Sequence, residues 1–201
     1  MRKPWILLCL YAAVMVWSGW APYDRFTWML EVFPGWIGLV VVASTHRRFP
    51  LSTVVLWLLL AHVAVLCVGG AYTYARVPLF DWIRDATGGS RNDYDKVGHF
   101  MQGFVPAFVA REIFLRKRVV TSRAWTGFFA VCVCLSISVV YEWLEWGVAV
   151  GTGEDAESFL GTQGDVWDTQ SDMLLAGIGA VFSLPLAAWH RRSIAKVDPS
   201  A

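Results

Sequence analysis

Residues 125–146 read WTGFFAVCVCLSISVVYEWLEW, a run without a charged residue until Glu142. An α-helix rises about 1.5 Å per residue, so this run is long enough to cross the roughly 30 Å hydrocarbon core of a bilayer. The apolar residues form a continuous block and do not alternate with polar ones. We therefore predict a transmembrane helix that reaches one membrane surface with Glu142 and Glu145.

The rest of the chain repeats this pattern. Of its 201 residues, 56% are hydrophobic, and the mean hydropathy is +0.48. Its twelve tryptophans fit as well, because Trp concentrates at membrane–water interfaces. The sequence predicts an all-α, polytopic transmembrane helical bundle that forms a single domain over residues 1–201. Six spanning helices are expected at about 5–20, 26–44, 51–71, 95–115, 125–146 and 172–189.

The basic residues predict the orientation of the bundle. Five of the 17 fall on one side of the predicted helices, and twelve fall on the other. By the positive-inside rule, the richer side is cytoplasmic, both termini are cytoplasmic, and the loop after residue 146 faces outward. The twelve are Arg2, Lys3, Arg47, Arg48, Arg111, Arg116, Lys117, Arg118, Arg123, Arg191, Arg192 and Lys196.

Several features of the first half have ordinary interpretations. The basic start and apolar run also fit a signal peptide, but Pro22 after the possible cleavage site favours a retained helix. Glu31 is expected to reach the interface or to favour the positive end of its helix. His62 is expected to be packed with a hydrogen bond. Residues 80–83 are predicted to form a short interfacial helix. The four cysteines lie in apolar blocks and are interpreted as small apolar residues.

Three predicted helix ends on the outer side carry polar residues spaced three or four apart, which places each set on one helical face. The sets are Asp95 and His99, then Glu142 and Glu145, then Asp165, Asp168 and Asp172. Since all three lie at one membrane depth, they are predicted to form a single polar site, oriented by Tyr141 and Gln163. Carboxylates at a membrane are costly and indicate a functional site.

Several carboxylates with one imidazole are typical of a site for a divalent cation such as Mg, Ca, Mn or iron. Without a cation, crowded carboxylates repel one another, unless Arg91 or Lys96 relieves them. The same groups could act as general acid and base near a lipid headgroup, with His99 suited to that role. The candidate metal ligands are His99, Glu142, Glu145, Asp168 and Asp172.

Helix capping is the alternative explanation for part of this set. Thr162 and Asp165 resemble a capping box, and Asp168 could cap the last helix. Capping does not explain Glu142 and Glu145, which lie in the last turns of their helix, where the dipole disfavours negative charge.

The motifs also resemble a known family. The run from Tyr94 to Pro106 (YDKVGHFMQGFVP), residues 110–112 (ARE), residues 141–146 (YEWLEW) and residues 159–173 (FLGTQGDVWDTQSDM) closely resemble the YjdF-like family of bacterial inner-membrane proteins. The resemblance covers nearly the whole chain. It implies a multi-pass protein of the bacterial inner (cytoplasmic) membrane, and it implies no reaction.

A more distant resemblance is to VanZ-like membrane proteins, which are associated with glycopeptide resistance. It covers only the second half of the chain. The Pro-Gly-Arg turn usual before their final helix is missing here, so no ligand is carried over. The matching positions are Asp95, Lys96, His99, Glu142, Gln163, Asp172, Gly177 and Gly179.

Three functional hypotheses follow. The first is a binding or enzymatic site for a divalent cation or for the polar headgroup of a lipid-linked or other envelope ligand. The second is a small transporter, whose polar path would need Glu31 and His62. The third is a non-enzymatic envelope accessory protein with the acidic loop 154–157 as its partner-facing surface. The lipid bilayer is the expected partner, and nucleic acid is not, because no basic, aromatic-laced face exists outside the loops.

Overall fold

The computed structural model describes residues 4–152 and 163–199, and all regular structure in these ranges is helical. A 3₁₀ turn at Leu184–Leu186 separates the last two α-helices. The α-helices are α1 (Pro4–Trp20), α2 (Arg25–Thr45), α3 (Thr53–Ala71), α4 (Pro78–Thr87), α5 (Tyr94–Arg116), α6 (Arg123–Thr152), α7 (Asp168–Phe182) and α8 (Ala187–Ile194).

Within the described residues, four stretches are long and apolar enough to cross a membrane: α2, α3, α6 and the continuous stretch Asp168–Ile194. Helix α1 is apolar but shorter. The surface agrees with this, since large apolar side chains such as Phe33 and Leu144 are more than half exposed. In contrast, Asn92 and Glu112 are fully buried. Such a distribution, apolar outside and polar inside, is typical of a protein surrounded by lipid.

Helix α5 lies at the centre of the packing and contacts α3, α6 and α7, while α1 and α2 pack against α3. Helices α5 and α7 approach most closely. A Cβ atom on Gly103 would overlap the backbone of Ala176, and one on Gly179 would overlap the carbonyl of Phe100. Small residues permit such backbone contact between membrane helices. The contact fixes the relative height of the polar side chains on these two helices.

At the other end of α5, a buried network joins α3, α5 and α8. One carboxylate oxygen of Glu112 accepts hydrogen bonds from the backbone N–H of Ser52 at 2.8 Å and from Nη1 of Arg116 at 2.9 Å. Its second oxygen lies 3.2 Å from Nε2 of His190. Glu112 and His190 are both fully buried. This network holds the end of the bundle where the predicted cytoplasmic loops begin.

The helix boundaries differ from the prediction in three places. The last helix was expected at 172–189, but α7 begins at Asp168 and ends at Phe182, before the turn that contains Pro185. Proline has no amide hydrogen and therefore removes a backbone hydrogen bond wherever it interrupts a helix. Helix α6 extends to Thr152, beyond residue 146. The short helix expected at 80–83 is present as the longer α4.

Candidate functional site

Three helices bring His99, Glu142 and Asp172 together. Nδ1 of His99 lies 3.9 Å from Oε1 of Glu142, and Nε2 of the same ring lies 3.5 Å from Oδ2 of Asp172. One possible ligand atom from each residue falls within 4.8 Å of the other two. A shared ion site requires such proximity, and these are three of the residues that the spacing pattern predicted to lie on facing helices.

In this triad of His99, Glu142 and Asp172, the two carboxylates lack some of their possible hydrogen bonds. Oε1 of Glu142 and Oδ1 of Asp172 are buried and have no hydrogen-bond partner among the described residues. Their side chains are only 7% and 5% exposed. A buried carboxylate oxygen without a partner is costly, unless a cation or a donor from a ligand reaches it. The triad therefore has an unused capacity to bind.

Beside the triad, a second group of carboxylates is already paired with a positively charged side chain. Arg91, in the loop before α5, donates to Asp168 at 2.5 Å and to Asp95, and it lies 3.4 Å from Asp165. Burial disfavours the charge on Arg91, but the bond to Asp168 and the attraction of Asp95 outweigh this and raise its pKa above the usual value. Asp95, Asp168 and Asp172 also lie within 4.8 Å of one another, but the guanidinium of Arg91 already pairs with Asp95 and Asp168.

Beside the triad, a cavity of about 550 Å³ lies between α1, α2, α3, α5, α6 and the start of α7. His99 and Asp172 line it, and so do Glu31, His62 and Glu145. Most of the remaining wall is apolar, including residues along α2 as far as Ala43. Glu31 and His62 from the first half of the chain therefore line the same cavity as His99 and Asp172 from the second half.

The other predicted site residues have different partners. The hydroxyl of Tyr141 lies 3.4 Å from Oε2 of Glu31. Its ring packs edge-on against His99, with 6.3 Å between the ring centroids. Gln163 holds the loop before α5 by bonding both the backbone N–H and the carbonyl of Asn92, at 3.0 and 2.9 Å. Glu145 lines the cavity but lies outside both three-ligand groups.

Two expectations were wrong. Asp168 does not cap α7, because the N-cap position is Trp167 and the Asp168 carboxylate bonds Arg91 instead. Of the two alternatives for Glu31, exposure at the interface was wrong, because the side chain is only 7% exposed and lies beside the cavity. Its place in the second turn of α2 agrees with the other alternative, the positive end of the helix. Asp165 caps a local turn by accepting from the Trp167 N–H at 2.9 Å. Its predicted capping partner, Thr162, lies outside the described residues, as does the acidic loop 154–157.

Sequence reasoning gave too little weight to Arg91, Asn92 and Gln102. Arg91 precedes Asp95 by four residues, and this spacing could have indicated an ion pair. Gln102 follows His99 by three and places Oε1 at 3.3 Å from Nδ1 of the ring. Asn92 gave no local signal, since its side chain bonds the carbonyl of Val77 and a carboxylate of α4.

Comparison with known proteins agrees with the fold and the predicted family. Residues 3–193 match the family described as predicted membrane protein (DUF2238). The chain belongs to this family. It is also 45% identical over 182 residues to the inner membrane protein YjdF of Escherichia coli (strain K12), covering 90% of this chain and 87% of that protein. The predicted localisation in the bacterial inner membrane is thereby confirmed. No solved structure matches, and these matches give no support to the resemblance to VanZ-like proteins.

Proposed function

We propose that this membrane protein binds a divalent cation through His99, Glu142 and Asp172. The observation that carries the proposal is that three helices each contribute one ligand atom to a group within 4.8 Å. Two buried oxygens in this group have no protein partner among the described residues. A divalent ion would neutralise both carboxylates and complete their coordination.

The proposal includes the full topology. Helices α1 and α5 would cross the membrane together with the four more apolar stretches, giving one domain of six spans with both termini cytoplasmic. The distribution of basic residues supports this orientation. Helix α5 is polar for a spanning helix, but Asp95 and Glu112 face protein groups, as intramembrane charges generally do. The triad would then lie near the outer surface.

The ligand set indicates the kind of ion. One imidazole nitrogen and two carboxylate oxygens suit Mn²⁺, Fe²⁺ or Zn²⁺ better than Mg²⁺ or Ca²⁺, which prefer oxygen alone. Three protein ligands leave coordination positions open toward the cavity, where water or a substrate could bind. The arrangement is compatible with either binding or metal-assisted chemistry.

Elemental analysis of detergent-purified protein, combined with thermal unfolding, tests the proposal. We expect a stoichiometric ion, and Mn²⁺ or Zn²⁺ added to chelator-treated protein should stabilise it by about 2.7 kcal/mol at one hundred times Kd. Asp172→Asn and Glu142→Gln should abolish both effects. The matched control is Asp85→Asn, which changes an exposed carboxylate on α4.

Two results would overturn the cation site. One is the absence of any ion above background together with no thermal shift from Mn²⁺, Zn²⁺ or Mg²⁺. The other is an Asp172→Asn protein that binds as tightly as the wild type.

A transporter is the second candidate, because Glu31 and His62 line the same cavity as the triad. The polar groups of α2 and α3 would extend a path for the cation. The protein should then take up Mn²⁺ into proteoliposomes. Glu31→Gln should slow this uptake while leaving equilibrium binding of Mn²⁺ at the triad intact. Binding without any uptake would restrict the protein to a binding or enzymatic role.

The apolar walls of the cavity favour a further alternative within the same site, the headgroup of an envelope lipid. The tail of such an amphiphile could lie along α2 while its polar group meets the triad. Stabilisation by a lipid with a cationic headgroup, but by no metal ion, would favour this ligand over the cation.

A further inference from the structure

A second pocket lies at the opposite end of the bundle from the triad. It has a volume of about 260 Å³ and is formed by the end of α5, the first turn of α6, the 3₁₀ turn and the start of α8. Three arginines line it, Arg111, Arg123 and Arg191, one from each α-helix. The remaining lining residues are apolar or neutral, and the part of the chain that the structure describes places no carboxylate among them.

Arg111 is the feature of this pocket that requires explanation. The residue is only 4% exposed, and its Nη1 is buried without a hydrogen-bond partner among the described residues. One turn further along α5, Arg116 is fully engaged, since it donates to the carbonyl of Pro50 at 2.6 Å and to Glu112 at 2.9 Å. It also bonds Asp198. A guanidinium buried without an anion is strongly unfavourable, so Arg111 calls for a negatively charged ligand.

The surroundings reinforce the positive potential. Arg123 and Ala124 belong to the first turn of α6, a helix of 30 residues, and both line the pocket. The N-terminus of a helix carries about half a positive charge and favours anions, phosphate groups in particular. Arg191, in α8, adds a third full charge. Guanidinium groups match the oxygens of a phosphate with paired hydrogen bonds.

We propose that the pocket formed by Arg111, Arg123 and Arg191 binds a phosphate group, carried by an anionic phospholipid or present as free phosphate. The site is independent of the cation site, since it uses different residues at the other end of α5. Its position among the basic loops fits a lipid headgroup of the inner leaflet, where basic pockets between membrane helices bind anionic lipids. A headgroup there would join α5, α6 and α8.

Native mass spectrometry of the detergent-solubilised full chain tests the site with two lipids, phosphatidylglycerol and phosphatidylcholine. We expect wild-type protein to retain phosphatidylglycerol preferentially. Arg191→Gln and Arg123→Gln should each weaken this binding about tenfold, as expected for the loss of one charge-assisted hydrogen bond. Arg111→Gln should abolish the preference. Because a change at this buried position could prevent folding, the two less buried arginines provide the decisive comparison.

Arg192→Gln is the matched control, because Arg192 neighbours Arg191 but is exposed and does not line the pocket. It should bind phosphatidylglycerol as the wild type does. Thermal unfolding with added inorganic phosphate separates the two sources of the ligand. A shift that Arg191→Gln removes assigns the pocket to free phosphate, whereas a lipid preference without such a shift assigns it to a headgroup. Equal retention of both lipids with no phosphate shift would overturn the proposal, and so would an equal loss in Arg192→Gln and Arg191→Gln.

Discussion

The two ends of α5 each bury a carboxylate beside an imidazole, but they satisfy it differently. At one end, both oxygens of Glu112 have protein partners, contributed by Ser52, Arg116 and His190. At the other end, His99 lies between Glu142 and Asp172, and each of these carboxylates keeps one buried oxygen without a partner among the described residues. The carboxylates are buried to a similar degree at both ends, but their hydrogen bonds are complete only at the Glu112 end.

This difference separates a structural network from a candidate binding site. A buried charge whose hydrogen bonds are complete stabilises the helices that supply them. One whose bonds are incomplete destabilises the protein until a ligand completes them. Nδ1 of His190 also has no hydrogen-bond partner among the described residues, but it is a single ring nitrogen and not an oxygen of a carboxylate. Replacing glutamate by glutamine should therefore lower the free energy of unfolding at Glu112 but not at Glu142.

The largest effect is expected at Glu112. Glu112→Gln removes the charge that pairs with Arg116 and replaces an accepting oxygen with a donor, in a site where all neighbours donate. We expect the free energy of unfolding to fall by about 3 kcal/mol, as for other broken buried ion pairs. Chemical unfolding in mixed detergent micelles measures this change in the free energy of unfolding.

Glu142→Gln is the matched substitution at the other end. In chelator-treated protein we expect no loss of stability, or a gain, because the change removes a buried charge with an unpartnered oxygen. Equal losses at Glu112 and Glu142 would show that the two ends do not differ in the way described.

Much of this comparison could be predicted from the sequence. Apolar blocks located the helices, and spacings of three and four residues placed His99, Glu142 and Asp172 on helix faces that do meet. The network around Glu112 could not be predicted, because Glu112 and His190 lie 78 residues apart and each looks ordinary in its own helix. For the same reason the contact of Tyr141 with Glu31, across 110 residues, gave no local signal.

Arg91 illustrates a different limit. The sequence predicted a cluster of carboxylates and named Arg91 only as a nearby charge that could relieve their repulsion. Whether it joins Asp168 or faces solvent depends on how the loop packs against α7, and spacing along the chain does not determine that. In the structure it neutralises Asp95 and Asp168, which leaves Asp172 as the acid available to the triad.

A smaller effect is expected from widening the contact between α5 and α7, which sets the triad geometry. Gly103→Ala would place a methyl group into the backbone of Ala176, so the helices must separate. We expect a loss of about 1–3 kcal/mol, as for other overpacked sites, together with weaker cation binding. Gly147→Ala in α6 is the control, because a methyl group there meets none of the described residues within 4 Å. If the two alanine variants match in stability and ion content, close packing of α5 on α7 is not required.

The smallest effect is expected at a carboxylate that is satisfied but exposed. Asp24 precedes α2, and its Oδ1 accepts from the Thr27 N–H at 2.6 Å, which lowers the pKa of Asp24 below its usual value. Asp24→Ala should cost about 1 kcal/mol at neutral pH, as for other helix caps. Since the folded pKa is lowered, this stabilisation is complete above the unfolded pKa of about 4 and is lost as the pH falls through the folded pKa. The free energy of unfolding should be measured from pH 7 downward, and the difference between wild type and Asp24→Ala should narrow below about pH 4. Asp24→Asn caps the helix without titrating, so its free energy of unfolding should differ from that of Asp24→Ala by a constant amount. A gap to Asp24→Ala that does not change with pH would mean that the carboxylate contributes through its shape and not through its charge.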